Sequence, residues 1–323
     1  MKFWLALAAL LLPPLVVHAG TAPVSAASSA AIPMSRQIDF TSKVNGRNYR
    51  LQVALPLATP PDSGFPVIYV IDGDGYFGTW AAAVRFRAMS GELPQAVVVG
   101  IGYPESEPDL MAAMKRRMNE LVPTLDPDAA KLAPDGDAAT SKPYAGADEL
   151  LRVIHAEVPA LVGNVTRIDS SQSTLFGHSL GGLFAVHALF TRPDYFRNYL
   201  VLSPSIWWDG RTVLAGQARF LEQVKAGKVT PRVYIAVGSL EQPGPDDPLP
   251  PGIPPGMSTA EARQLVTRAA MVDSARELLR NLQVNGAPTG YEVKGRVVPG
   301  ETHSSVAWGA LNEMLDFALA GSR

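Results

Sequence analysis

A serine, a histidine and a set of carboxylates are spaced along this chain as acyl-transfer chemistry would need them. In LFGHSLGG, residues 175–182, Gly177, Ser179 and Gly181 satisfy the pattern G-x-S-x-G. That pattern has chemical meaning only between a strand and a helix, where it puts a serine on a sharp, strained turn. Side chains at 177 or 181 would collide with the adjoining strand and helix. The free N–H groups of the helix start then point toward an oxyanion developing on a substrate carbonyl. The competing reading is a glycine-rich helix start that happens to contain a serine. The flanking residues favour the first: Ser173–Phe176 lead in as a strand, and an apolar-periodic helix begins at Leu180.

A nucleophilic serine needs a base, and the base needs an orienting acid. The chain has five histidines. His18 falls in an N-terminal leader, and His155 and His187 fall within helical patterns. His178 adjoins Ser179 too closely to reach its Oγ on a tight turn. His303, in GETHSSV, lies between the last strand and the last helix, where strand ends build the site of such a fold. The chain order expected is Ser, acid, His. Glu241, closing RVYIAVGSLEQ, is the preferred acid. Asp246 and Asp247 follow it in a proline-rich loop, and Asp72 and Glu301 are outsiders. The plain alternative for Glu241 is a solvent-facing loop carboxylate. Two backbone donors complete an oxyanion hole: Leu180 N–H, directly after the serine, and Asp74 N–H in IDGDGYF (71–77), where glycines let the chain turn inward. The same Asp-Gly pair could mark an ordinary turn.

The elements that must position these residues follow from hydropathy. FPVIYVIDG (65–73), QAVVVGIGY (95–103), STLFGHS (173–179), NYLVLSPS (198–205), RVYIAVGS (232–239) and YEVKGRVVPG (291–300) are short β-branched runs bounded by Gly, Pro, Ser or Asp. They read as strands buried on both faces; NYRLQVALPL (48–57) shows β-like alternation. Helical patterns over 146–162, 180–190, 211–227, 258–283 and 304–320 alternate with them. The prediction is an α/β fold: a mostly parallel sheet with helices on both faces. Residues 104–144 and 242–257 break the rhythm, and 104–144 reads as a lid or substrate-binding insertion.

Bulk properties narrow the function. The 323 residues carry a net charge of −2 with no basic stripe, which argues against nucleic acid. There is no cysteine, so disulfides, thiolate catalysis and cysteine-held metals are all excluded. The chemistry outlined needs no metal or cofactor. MKFWLALAALLLPPLVVHAG combines a positive start, an apolar run and a small-residue cleavage pattern at Val17-His18-Ala19. Residues 1–19 therefore read as a signal peptide, 20–35 as a flexible tail and 36–323 as the folded domain. The apolar run is short and interrupted by Pro13-Pro14, so no stable membrane span is expected once the leader is removed. The expected location is the periplasm or the exterior.

These residues resemble a family. SSQSTLFGHSLGGLFAVHALFTRPDYFRNYLVLSPSIWWD, with YVIDGDGYF before it and VGSLEQ and GETHSSV after it, is similar to the esterase D / putative-esterase branch of the α/β-hydrolases. Within that branch it looks most like the periplasmic trilactone siderophore esterases of the enterobactin and salmochelin type. The resemblance implies an α/β-hydrolase fold, Ser179 as nucleophile, His303 as base, Glu241 as acid, and Asp74 and Leu180 as oxyanion donors. It implies a ferric catecholate substrate met by Arg116 and Arg117, in RRMNELVP, and by Trp207 and Trp208. In this motif Glu120 and Val122 depart from the family's pattern. The arginines could equally be a solvated helix face, and the tryptophans core filling. Three functions follow: a siderophore esterase releasing iron, a general carboxylesterase or acyltransferase of the same fold, and a non-catalytic periplasmic binding module.

Overall fold

The β-branched runs pair into one eight-stranded sheet of order β1-β2-β4-β3-β5-β6-β7-β8. The computed structural model describes residues 31–104, 110–126, 145–249 and 256–320. The strands are β1 (Ser35–Thr41), β2 (Asn48–Ala54), β3 (Phe65–Ile71), β4 (Val97–Gly102), β5 (Ile168–His178), β6 (Asn198–Leu202), β7 (Arg232–Gly238) and β8 (Glu292–Val298). From β4 through β8 all pairings are parallel, while β2 runs antiparallel to both β1 and β4. This is the mostly parallel sheet expected.

The helices are α1 (Gly73–Met89), α2 (Leu110–Glu120), α3 (Ala147–Ala156), α4 (Val158–Gly163), α5 (Leu180–Thr191), α6 (Gln217–Lys225), α7 (Thr259–Ala269), α8 (Met271–Leu282), α9 (Val306–Gly309) and α10 (Leu311–Leu319). Period-2 alternation sends neighbouring strand residues to opposite faces. On one face Val67, Tyr69 and Ile71 of β3 join a core with Leu150 and Ile154 of α3, Leu183 and Phe184 of α5, and Leu278 of α8. On the other, Trp80 of α1 lies 4.4 Å from the ring of Phe176 on β5, and Phe317 of α10 lies 5.4 Å from Tyr234 on β7. Strands covered on both faces need the continuous apolar runs that the sequence shows.

Several local expectations are corrected. β1 begins at Ser35, inside the segment read as tail, and its alternation is masked by charges on an edge strand. IDGDGYF is not a free loop: Asp72 takes a left-handed conformation and Gly73 already starts α1. Nothing in the hydropathy pattern marked α1, because Phe86 and Met89 are exposed on the side opposite its buried Phe77, Trp80 and Val84. The stretch 104–144 contains α2, and 127–144 lies outside the described residues. The predicted helix 146–162 breaks at Glu157, ahead of Pro159 at the start of α4. The predicted helix 258–283 breaks at Ala270, whose φ is 42°. The signal-peptide segment 1–19, most of the tail and part of 242–257 also lie outside the described residues. No helix among the described residues is long and apolar enough to cross a membrane.

Candidate active site

Ser179 sits between β5 and α5 with φ 60° and ψ −117°, a backbone conformation that L-residues avoid. Three glycines make room for it. A Cβ at Gly177 would come within 1.9 Å of the Gly181 carbonyl oxygen, and one at Gly181 within 3.2 Å of Ile71 Cγ2. Gly182 lies outside the five-residue pattern yet is as constrained, since a Cβ there would meet Leu202 O at 2.7 Å. Ser179 N–H donates to Leu202 O, and Ser179 O accepts from Ser205 N–H, so the turn is tied to the end of β6 and to the residues just after it.

His303 lies beyond β8, and its Nε2 is 3.0 Å from Ser179 Oγ. Its Nδ1 is 2.6 Å from Glu241 Oε2. Glu241 ends a short 3-10 turn (Ser239–Glu241) directly after β7 and is 5% exposed. Its other oxygen accepts from Gly238 N–H at 2.7 Å and from Ser203 O–H at 2.5 Å. His303 Nδ1 meets Glu241 and none of the four acidic alternatives. Asp246 and Asp247 are exposed, with Asp247 accepting from Gly244 N–H. Asp72 pairs with Arg117, and Glu301 lies against Gly309. Ser203, which steadies the acid, was not singled out in the sequence; its signal was the Ser-Pro-Ser stretch at the end of β6.

The two expected backbone donors occupy matching places. Leu180 is the first residue of α5 and Asp74 the second of α1, where N–H groups have no intrahelical acceptor. The Asp74 side chain turns away to accept from Tyr103 N–H at 3.1 Å, and burial raises its carboxyl above the ordinary range. His178 contacts the site without joining it. Its ring is 4.6 Å from that of His303, and its Nδ1 is 2.7 Å from Tyr76 O–H. Burial, with the charges of His303 and Arg117, drops its pKa to about 3, so it is neutral at any working pH. His187 pairs with Asp148 and His155 stacks on Tyr195.

The predicted substrate-binding residues are placed differently from one another. Arg117 makes a two-pronged ion pair with Asp72, at 2.8 and 2.9 Å. Arg116 donates to Asn48 O and stacks its guanidinium 3.5 Å from the Tyr103 ring centre. Both carry internal partners rather than forming a plain solvated face. Trp208 is buried and donates to Thr124 O at 2.9 Å, so it serves as a structural tie. Trp207 is half-buried, two residues beyond Ser205. Trp308 was not singled out. It is 52% exposed and packs edge-on against Tyr76, 6.0 Å between ring centres. Among the described residues no cluster of His, Asp and Glu could hold a metal ion.

Residues 42–311 match the sequence profile of the family described as "Putative esterase". The chain belongs to that family. It is an esterase, acting on carboxylic ester bonds. This esterase is 31% identical to the ferri-bacillibactin esterase BesA of Bacillus subtilis, over 87% of this chain and 88% of that one. It is 32% identical to a siderophore enterobactin esterase of Emericella nidulans, over 82% and 87%. Among solved structures, the BES protein of Bacillus cereus superposes with a TM-score of 0.71 at 31% identity, covering 91% of this esterase and 98% of that chain. The α/β-hydrolase fold is shared with the enterobactin and salmochelin hydrolase IroE, at a TM-score of 0.55 and 21% identity.

Proposed function

We propose that this esterase hydrolyses its ester through Ser179, His303 and Glu241, and that its substrate is a siderophore lactone. The observation that carries the chemistry is the unbroken chain Ser179 Oγ, His303 Nε2, His303 Nδ1, Glu241 Oε2, at 3.0 and 2.6 Å. Ser179 Oγ attacks the ester carbonyl while His303 Nε2 takes its proton. Glu241 holds the other proton on Nδ1, which fixes the ring's tautomer and offsets the imidazolium charge. The carbonyl oxygen becomes an oxyanion held by Leu180 and Asp74 N–H. The C–O bond to the alcohol breaks, and His303 returns the proton to the leaving alkoxide. Water then attacks the seryl ester and gives a proton to His303; the bond to Ser179 Oγ breaks, His303 returns the proton to that oxygen, and the acid leaves.

The siderophore reading is supported by the relatives' activities, since both curated relatives named above are siderophore esterases. Trp207 and the exposed Trp308 offer aromatic surface for catechol rings. The internal pairing of Arg116 and Arg117 removes them from the simplest version of anion binding. With the leader-like segment 1–19, the reading extends to an exported enzyme that frees iron from a ferric siderophore.

The test is hydrolysis of two esters side by side: a short p-nitrophenyl ester and a ferric catecholate trilactone. The proposal expects kcat/KM far higher on the trilactone and no turnover of either by Ser179→Ala. Turnover by folded Ser179→Ala overturns the site. Preference for the simple ester leaves a general carboxylesterase, and ester products formed with an added alcohol mark an acyltransferase.

A further inference from the structure

Asp72 is placed where a carboxylate should harm the reaction. It lies between β3 and α1, the helix that presents Asp74 N–H, with φ 56° and ψ 48°. Asp is a favoured side chain for capping a helix start, yet this one makes no cap hydrogen bond. Both its oxygens go instead to Arg117. The carboxylate also lies against the other helix start, for a Cβ on Gly181 would sit 3.4 Å from Asp72 Oδ2. An anionic group therefore stands between the first turns of α1 and α5, the two turns that carry the oxyanion donors. Its charge reaches the surroundings: burial first and then Asp72 raise the Tyr76 phenol to about 12, while Arg117 opposes them.

We propose that Arg117 is a positioning residue that neutralises Asp72, so that the two helix starts can accept the negative charge of the tetrahedral intermediate. The inference rests on Leu180 and Asp74 being the oxyanion donors. Without Arg117, Asp72 would compete for the same N–H groups and repel the oxyanion as it forms. Substrate in its ground state is neutral at that oxygen, so the loss falls on kcat and not on KM. The guanidinium suits the task because its fork meets both carboxylate oxygens and it stays charged when half-buried. Burial works against that charge, but Asp72, joined by Tyr76 and Tyr103, holds the Arg117 pKa above its ordinary value.

The experiment compares wild type, Arg117→Met, Asp72→Asn, the double variant and Arg117→Lys on an uncharged p-nitrophenyl ester and on one whose acyl group carries a carboxylate, with Ser179→Ala as control. Arg117→Met is expected to lower kcat on the order of 10- to 100-fold, with KM within about twofold. The double variant, which removes both charges, is expected to regain most of that loss. Arg117→Lys, which keeps the charge but loses the two-pronged pairing, is expected to fall between wild type and Arg117→Met. The proposal is overturned if Arg117→Met acts only through KM on anionic substrates, which would make it a substrate ligand. It is also overturned if the double variant is as slow as Arg117→Met, which would make the pair a packing element. Should Arg117→Met fail to fold, a more than tenfold loss of kcat in the folded double variant overturns it. Wild type inactive on the ester, or Ser179→Ala active, sinks the serine-esterase reading itself. An active wild type, a dead Ser179→Ala and an unaffected Arg117→Met sink only the role of Arg117.

Discussion

Glu241→Gln should reduce kcat by about 10³- to 10⁴-fold while leaving the fold intact, and the reason lies in which oxygen each partner holds. Glu241 Oε1 accepts from Gly238 N–H, at 2.7 Å, and a backbone N–H can only donate. An amide placed in this site must keep its carbonyl oxygen there. The opposite orientation would bury two donors face to face, at a cost of about 1–3 kcal/mol. The amide NH₂ is thereby forced onto the Oε2 position, 2.6 Å from His303 Nδ1. It donates, so Nδ1 must accept, and the imidazole proton moves to Nε2. Nε2 then points an N–H at Ser179 Oγ, 3.0 Å away, and cannot take its proton. The barrier rises by about 4–5 kcal/mol, at about 1.4 kcal/mol per decade of rate. The assay is steady-state hydrolysis of a p-nitrophenyl ester with a thermal melt on the same sample. KM should hold, because the ground state loses no contact. A well-folded Glu241→Gln within tenfold of wild-type kcat would refute the tautomer argument and remove Glu241 from the site.

Three further outcomes are expected. Gly182→Ala should lower stability to urea by about 1–3 kcal/mol, because its Cβ would press on Leu202 O at 2.7 Å; an unchanged midpoint would mean that the turn has slack. Acid should destabilise the fold through His178, whose pKa falls from 6.5 to about 3 on burial. The unfolded chain then binds the extra proton between those values. The His178 contribution is thus full above about pH 6.5 and shrinks as pH falls toward 3, by about 2 kcal/mol at pH 5. His178→Gln should flatten that slope in urea melts, and an unaltered slope would assign it to other groups. Trp308→Ala should raise KM about 3- to 10-fold for esters of aromatic acids and leave acetate esters alone, in keeping with the worth of one aromatic contact; equal effects on both would point to a packing role.

The strands were legible because a doubly covered sheet requires unbroken apolar runs, and β3 to β7 carry them. Ser179 was legible because a strained turn leaves a glycine signature. The spacing of His303 and Glu241 from it was not informative in itself; what placed them was the rule that sites gather at strand ends. Less was legible where contacts are long-range. α1 is apolar on more than one side, so no amphipathic stripe announced it. Arg116 and Arg117 read as surface charge or ligand contacts because nothing local shows that Asp72, 45 residues from Arg117, and the ring of Tyr103 await them. Trp308 followed His303 closely in sequence, but only the packing on Tyr76 brings its ring beside the site.

Three adjacent strands of the sheet, β3, β5 and β6, are each followed directly by a non-glycine residue with positive φ: Asp72 at 56°, Ser179 at 60° and Ser203 at 42°. Each such corner costs about 1–3 kcal/mol and persists only where its surroundings overdetermine it. Here the surroundings do so. Ser203 N–H donates to Ala236 O of β7, Ser179 N–H donates to Leu202 O of β6, and Ile71, His178 and Leu202 before the corners are buried. Every corner serves a different part of the proposed reaction: one begins the helix offering Asp74 N–H, one raises the nucleophile, and one fixes the acid. The chain relaxes at neither Ser179 nor Ser203 without breaking a hydrogen bond to the neighbouring strand. The sheet therefore stabilises a geometry that no isolated loop of the same sequence could hold, and the cost of that geometry falls on the parallel core.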